Sequence, residues 1–304
     1  MMHDICGWTS TTRMPSLAVL TIFRDESQLI FEWLLHHTAE GVTQFVLIDQ
    51  GSIDSSAALV SAFAAIHGQR CGVRVDLLVE PGSHNQVHAY NKYVHLLVNE
   101  WVLLVDVDEY VYARLSFRTI PAFLATLPAS AALVVLPWKR FGSSGVTASP
   151  VSAIGSFVRR EIITGDDPES ETFTNGSSFP PWLSGRTYNF KSLFRLDAAK
   201  AAFARVERAL ATRQWNESFS PPKGVIWHQH RAFYPFDGPH GRTHTAGGAG
   251  GPNDGHTVLP DARPLPSRLD GGVRLGPLRS MAEFGIHLNH FELGSCEYYA
   301  KVRL

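Results

Sequence analysis

The sequence predicts an α/β fold: a mostly parallel sheet with helices on both faces. Three observations predict it. Runs of strand length rich in Val, Leu and Ile recur in the first half, at "LAVLTIF", "QFVLID", "VRVDLLV" and "VLLVDV". Stretches with apolar residues at helical spacing separate them, the pattern of strands buried on both faces. Acids close the second and fourth runs, at the strand ends where ligands bind in open sheets of this class.

Taken in order, the first strand covers Leu17 to Phe23. Leu29, Ile30, Trp33, Leu34 and His37 then mark a helix that Gly41 ends. "QFVLIDQGSID" is a second strand running into a Gly-Ser turn, and "SSAALVSAFAAIHG" is the helix after it. "VRVDLLVEPG" and "NQVHAYNKYVHLLVNEW" repeat the pair. "VLLVDVDEYVY", residues 102–112, reads as the fourth strand, and "TIPAFLATLP" and "ALVVLPWKRFG" add a helix and a strand. The second half is less regular. Residues 142–187 are rich in Ser, Gly, Pro and Thr and read as a lid or substrate loop. "TYNFKSLFRL" and "GVIWHQHRAFY" read as strands with a helix at Asp197–Thr212 between them. Residues 236–277 carry many Gly and Pro and few apolar anchors, so they are expected to be flexible. Residues 1–16 are expected to be disordered.

Composition excludes several classes. The formal net charge of the 304 residues is −1, which leaves no bulk electrostatic term for a nucleic-acid partner. Cys6, Cys71 and Cys296 are far apart and in no metal-binding spacing, a pattern expected of reduced thiols. The N-terminus lacks the apolar core of a signal peptide and no apolar run reaches membrane-spanning length. A cytoplasmic location is the resulting expectation.

The acids at the end of the fourth strand carry the chemistry. Val102 to Val105 lead into Asp106, with Asp108 and Glu109 close behind. Carboxylates buried without a partner cost several kcal/mol. Where the strand breaks into a turn, Asp106 and Asp108 can converge on a Mg²⁺ or Mn²⁺ ion, which takes a few carboxylates plus phosphate oxygens and water. Asp49 ends the second strand on the same edge.

These segments together resemble glycosyltransferases of the GT-A fold, of the family 2 and family 92 type. "TIFRDESQLIFEWLLHHTAEGVTQFVLIDQGSIDSS" is similar to their opening, "DVDEY" to their D-x-D-E-F, and "LPWKRFGSSG" to their W-xx-F-G-xx-G. "KSLFR" resembles K-S-x-x-R, and "LNHFELGSCEYYAKVRL" resembles the closing N-H-Y…S…K-x-R. The chain departs from the pattern at Asp25 and Gln50, where Asn is usual, and at Tyr110 and Phe291, where the aromatics are exchanged. The resemblance implies residues 17–145 as a nucleotide-sugar-binding half and 146–304 as an acceptor-binding and C-terminal part. It implies metal-dependent, inverting transfer of a sugar from a UDP-sugar to a glycan or other hydroxyl acceptor.

Roles follow from position and resemblance together. Arg24 and Asp49 are candidates for the nucleotide, Asp106 for ribose or metal, and Asp108 for the metal. The resemblance implies a further metal ligand, His290 or alternatively His228, and places Lys301 and Arg303 on the diphosphate. Glu109 supports the acids or starts a helix. The base is open among Glu161, Asp166, Asp167, Glu169 and Glu171. Trp138, Trp182 and Lys191 are acceptor candidates, with Trp227 a further ring near the motifs. The competing expectations are a Mg²⁺-dependent sugar nucleotidyltransferase and a non-catalytic carbohydrate-binding protein. The first of these calls for a glycine-rich loop after the first strand, and "TIFRDES" has none.

Overall fold

The computed structural model describes residues 13–82, 86–159, 187–188, 190–198, 226–228, 231–234, 244–245, 257–258, 273–274 and 284–291. Strands β1 (Leu17–Phe23), β2 (Val42–Asp49), β3 (Arg74–Val79) and β4 (Trp101–Leu104) alternate with helices α1 (Ile30–Ala39), α2 (Ser56–Cys71) and α3 (Gln86–Tyr93). There follow β5 (Glu109–Ala113), α4 (Ile120–Leu124), β6 (Leu133–Arg140) and α5 (Ala153–Ser156). Then come β7 (Thr187–Tyr188), β8 (Phe190–Arg195), β9 (Ile226–His228), β10 (Arg231–Tyr234), β11 (His244–Thr245), β12 (Thr257–Val258), β13 (Val273–Arg274) and β14 (Ile286–His290).

The main sheet runs β3-β2-β1-β4-β8-β6-β14-β5, with β12 beside β6. Strands β3, β2, β1 and β4 are mutually parallel, as are β6 and β14, whereas β8 and β5 run against their neighbours. The expected α/β class and mostly parallel sheet are therefore present. The apolar runs are unbroken because both faces are covered. Leu17, Val19 and Leu103 pack with Trp33 and Phe63 on one side. Ala18, Leu20, Val102 and Leu104 pack with Ala89 and Tyr90 on the other. Strands β8, β12 and β14 all come from beyond residue 145, so the two parts read from sequence share one sheet.

The expected fourth strand over 102–112 is two strands. β4 stops at Leu104, a turn carries the acids, and β5 leaves to the far edge beyond β8, β6 and β14. That edge would expose unpaired backbone groups. Helix α1 covers it with side chains instead. Trp33 Nε1 donates to Glu109 O at 2.8 Å, and His36 Nε2 lies 2.8 Å from Val111 O. His37 Nε2 accepts Val111 N–H at 3.4 Å, and Glu40 Oε2 accepts Ala113 N–H at 2.9 Å. Positions 33, 36 or 37, and 40 recur once per helical turn, while 109, 111 and 113 recur once per strand repeat. The two periods meet. His37 then has its Nδ1 proton for Trp33 O, 2.9 Å away, and burial holds the ring neutral, with its pKa well below the usual histidine value.

Burial pushes the Glu40 carboxyl up to about 7, against the opposing effect of the Ala113 hydrogen bond. A folded pKa above the unfolded value favours folding fully below about pH 4.5, and the contribution is lost as pH rises through 7. Wild-type unfolding free energy is expected to fall by up to about 3 kcal/mol across that window. Glu40→Gln is expected to flatten this loss in urea titrations at stepped pH.

Cys71, at the end of α2, is disulfide-bonded, which corrects the expectation of three reduced thiols; its partner cysteine lies outside the described residues. The spacing rule failed because a pair distant in sequence is set by the fold, and the cysteines no longer argue for a reducing compartment. Among the described residues, no helix is long and apolar enough to cross a membrane.

Candidate active site

Sheet topology brings the candidate residues to one edge. Strands β1, β2, β4, β6 and β14 end there, and the reversed strands β5 and β8 begin there. Asp49 closes β2, the acids follow β4, and Glu109 opens β5. Lys191 lies near the start of β8, and Trp138 and His290 lie near the ends of β6 and β14.

The acid turn is closed by its own backbone and side chains. Glu109 N–H donates to Asp106 O at 3.1 Å, and Glu109 Oε2 accepts Asp106 N–H at 2.8 Å. The Lys191 ammonium lies 2.8 Å from Asp106 Oδ2 and 3.0 Å from Glu109 Oε2. The side chains of Lys191 and Glu109 are both 0 % exposed, and that of Asp106 is 27 % exposed. Burial, and after it the neighbouring charges of Asp106 and Asp108, push Glu109 up, and Lys191 and His290 oppose that rise. Burial disfavours the Lys191 charge as well, but Asp106 and Glu109 outweigh it and raise its pKa. Lys191 is expected from sequence to touch an acceptor or a phosphate, or else to salt-bridge an acid; its ammonium is buried against the carboxylates of Asp106 and Glu109, inside the acid turn.

Asp108 pairs with a different partner. His290 Nε2 is 3.4 Å from Asp108 Oδ2, and both residues are buried. Phe291 N–H donates to Asp108 O at 2.9 Å, and Phe141 N–H to His290 O at 2.8 Å, so β14, β6 and the acid turn are laced together. Burial works against a charged His290, but the hydrogen bond and charge of Asp108 outweigh it and raise its pKa. Asp108 Oδ1 and His290 Nδ1 are buried with no hydrogen-bond partner. Among the described residues, no three His, Cys, Asp or Glu side chains gather in ligand geometry. A Mg²⁺-like ion needs fewer, since it keeps waters and takes substrate phosphates beside one or two protein ligands. The orphaned carboxylate oxygen of Asp108 and the adjacent imidazole fit such an ion.

Asp49 is buried, and its Oδ1 accepts from Gly51 N at 3.1 Å, Ser52 N at 2.8 Å and Ser52 Oγ at 2.7 Å. It builds the turn after β2. Beside it, Gln50 Nε2 is buried without a partner. The loop after β1 is clipped to this turn: Asp25, at φ 56°, accepts Ile53 N–H at 2.7 Å, and Glu26 N–H donates to Ser56 Oγ at 2.8 Å. Arg24 is half exposed, with Nε 3.5 Å from Asp25 Oδ2.

Trp138 lies over the site. Its ring centroid is 4.2 Å from that of His290, and the Lys191 ammonium is 5.8 Å from the ring. Tyr110 and Phe291, the two exchanged aromatics, are in edge contact at 5.3 Å, and Tyr110 Oη is buried without a partner. The start of the expected lid is docked. Glu32 of α1 accepts Ser152 Oγ at 2.5 Å and Ala153 N–H at 2.7 Å, and Phe157 packs 5.9 Å from Phe291.

The structure thus brings together Asp106, Asp108, Trp138, Lys191 and His290, with Asp49 two strands away on the same sheet edge. Glu161, Asp166, Asp167, Glu169, Glu171, Trp182, Lys301 and Arg303 lie outside the described residues, as do the side chains of Trp227 and His228. The Glu109–Lys191 pair was not foreseen. Its signal was present: a lysine inside the apolar "FKSLF" needs an anion wherever that strand is central.

No family model matches the sequence, and no curated protein matches it. Among solved structures, the mannosyltransferase PcManGT from Pyrobaculum calidifontis, in complex with GDP-Man and Mn²⁺, is 22 % identical over 40 % of this chain and 35 % of its own, with a TM-score of 0.32. S. aureus TarS 1-349 is 16 % identical over 61 % of this chain and 48 % of its own, with a TM-score of 0.35. Glucosyl-3-phosphoglycerate synthase from Mycobacterium tuberculosis, with Mn²⁺ and UDP-glucose, is 18 % identical over 43 % and 45 %, with a TM-score of 0.27. Each likeness spans less than half of the matched chain. At these scores the likenesses say nothing of the site, and function rests on the residues above.

Proposed function

We propose that this chain is a metal-dependent glycosyltransferase of GT-A type. It moves a sugar from a nucleoside diphosphate sugar, a UDP-sugar, to a hydroxyl of a glycan or other acceptor, with inversion. One observation carries the reading: Asp108 and His290, far apart in sequence, meet at the ligand-binding edge of the sheet with buried polar atoms left unpartnered.

The residues divide the work. Asp108 and His290 hold a Mn²⁺ or Mg²⁺ ion, which when bound neutralises charge on the leaving diphosphate. Asp106 presents its carboxylate at the open face for a ribose hydroxyl. The turn built on Asp49 and the exposed Arg24 border the nucleotide. Trp138 offers an apolar face to a sugar ring. Lys301 and Arg303 neutralise the diphosphate as the glycosidic bond breaks. One acid among Glu161, Asp166, Asp167, Glu169 and Glu171 takes the acceptor proton.

The nucleotidyltransferase reading is weakened by the loop after β1. There, the backbone N–H groups that a phosphate would need are already engaged by side chains of the turn after β2: Asp25 N–H donates to Ser52 Oγ at 3.0 Å, Glu26 N–H to Ser56 Oγ at 2.8 Å and Ser27 N–H to Asp54 Oδ2 at 3.0 Å. Calorimetry of UDP binding tests the proposal: heat of binding is expected with Mn²⁺ and not in EDTA. Equal affinity in both would remove the metal from the reading.

A further inference from the structure

We infer that Lys191 is a resident counterion and positioning residue: it withholds Asp106 from the divalent ion, leaving Asp108 and His290 to bind it, and makes that binding depend on the diphosphate. The inference deepens the proposed function and rests on it.

The geometry is specific. Strand β8 is inserted antiparallel between β4 and β6, with Lys191 opposite Leu136 of β6 and Ser192 opposite Leu104 of β4. A reversed strand delivers its early residues to the edge where its neighbours end, so Lys191 arrives beside the acid turn. Its ammonium is wholly buried, bridges Asp106 Oδ2 and Glu109 Oε2, and lies under the Trp138 ring. Glu109 Oε2 also holds the Asp106 backbone N–H, so one lysine fixes the carboxylate and the turn that carries it.

Three carboxylates within four residues would make a strong cation trap on their own. A fixed ammonium in contact with two of them cancels part of that charge and repels a second cation at short range. The bare site then binds Mn²⁺ weakly. A nucleoside diphosphate restores the missing negative charge, so ion and diphosphate bind together more tightly than either alone. Asp106, its Oδ2 held by Lys191, keeps one orientation toward a ligand hydroxyl.

The test measures Mn²⁺ affinity, with and without UDP, for full-length wild type, Lys191→Met and the charge-balanced Lys191→Met/Glu109→Gln, with melting curves to check folding. Wild type is expected to bind Mn²⁺ at least tenfold more tightly when UDP is present. Lys191→Met is expected to bind Mn²⁺ alone at least tenfold more tightly than wild type, yet turn over donor at least tenfold more slowly. The double variant, with one charge of each sign removed, is expected to return to wild-type Mn²⁺ affinity while staying slow, because Asp106 remains unheld. A purely structural lysine would lower affinity and turnover together. Unchanged or weaker Mn²⁺ binding in folded Lys191→Met overturns the inference. If the single variant does not fold, wild-type turnover in the double variant overturns it instead. A wild type that binds no Mn²⁺ with or without UDP would instead sink the proposed function itself.

Discussion

Asp108→Asn is expected to keep the fold and lose transfer, by about 3 kcal/mol or more of transition-state stabilisation, on the order of a hundredfold in turnover. The fold survives because asparagine keeps the backbone carbonyl that accepts Phe291 N–H, and its side chain matches aspartate in size and shape beside His290. The loss is specific because an amide oxygen carries no net charge to hold a divalent ion. Circular dichroism with Mn²⁺ titration separates the two effects. An unfolded variant would show that Asp108 serves the core, and a folded variant with wild-type turnover would remove it from the ion.

Trp33→Ala is the largest expected loss of stability. The indole is 0 % exposed, packs 5.9 Å from the Phe45 ring and 4.6 Å from that of His37, and donates to Glu109 O. Deleting a buried tryptophan costs about 3–5 kcal/mol. Leaving a buried carbonyl unpaired adds about 1–3 kcal/mol. Trp33→Phe keeps most of the packing and isolates the second part. Urea midpoints of the two variants measure both, and a phenylalanine variant as unstable as the alanine one would mean that the hydrogen bond to β5, not packing, holds α1 in place.

The first half of the sheet was legible because its signal is local. Strands β1 and β4 and the later part of β2 are continuous apolar runs, and a parallel strand buried on both faces has no other way to be written. The placement of Asp49 and the acids on one edge followed from that alternation. The split at Leu104 was not legible: "VLLVDVDEYVY" keeps strand-like composition through the turn, and only β14, arriving from residue 286, decides that β5 pairs elsewhere. The same holds for Lys191. Its sequence neighbours Phe190 and Ser192 say strand, but that β8 enters the middle of the sheet reversed is fixed by pairing with β4 and β6. Trp33, His36, His37 and Glu40 were partly legible as a helix face. Their task, supplying hydrogen bonds to an edge strand, depends on a partner some seventy residues away. Cys71 shows the same limit, since a disulfide between distant residues leaves no local mark.

The central claim is that this sheet edge is a divalent-cation site for a nucleoside diphosphate sugar. The most direct measurement is release of UDP or GDP from a panel of UDP- and GDP-sugars by the full-length chain, in Mn²⁺ and in EDTA, with Asp108→Asn alongside. The expected result is release from a UDP-sugar in Mn²⁺, abolished by EDTA and reduced on the order of a hundredfold in Asp108→Asn. Release that persists equally in EDTA and in the variant, or no release from any donor, would contradict it.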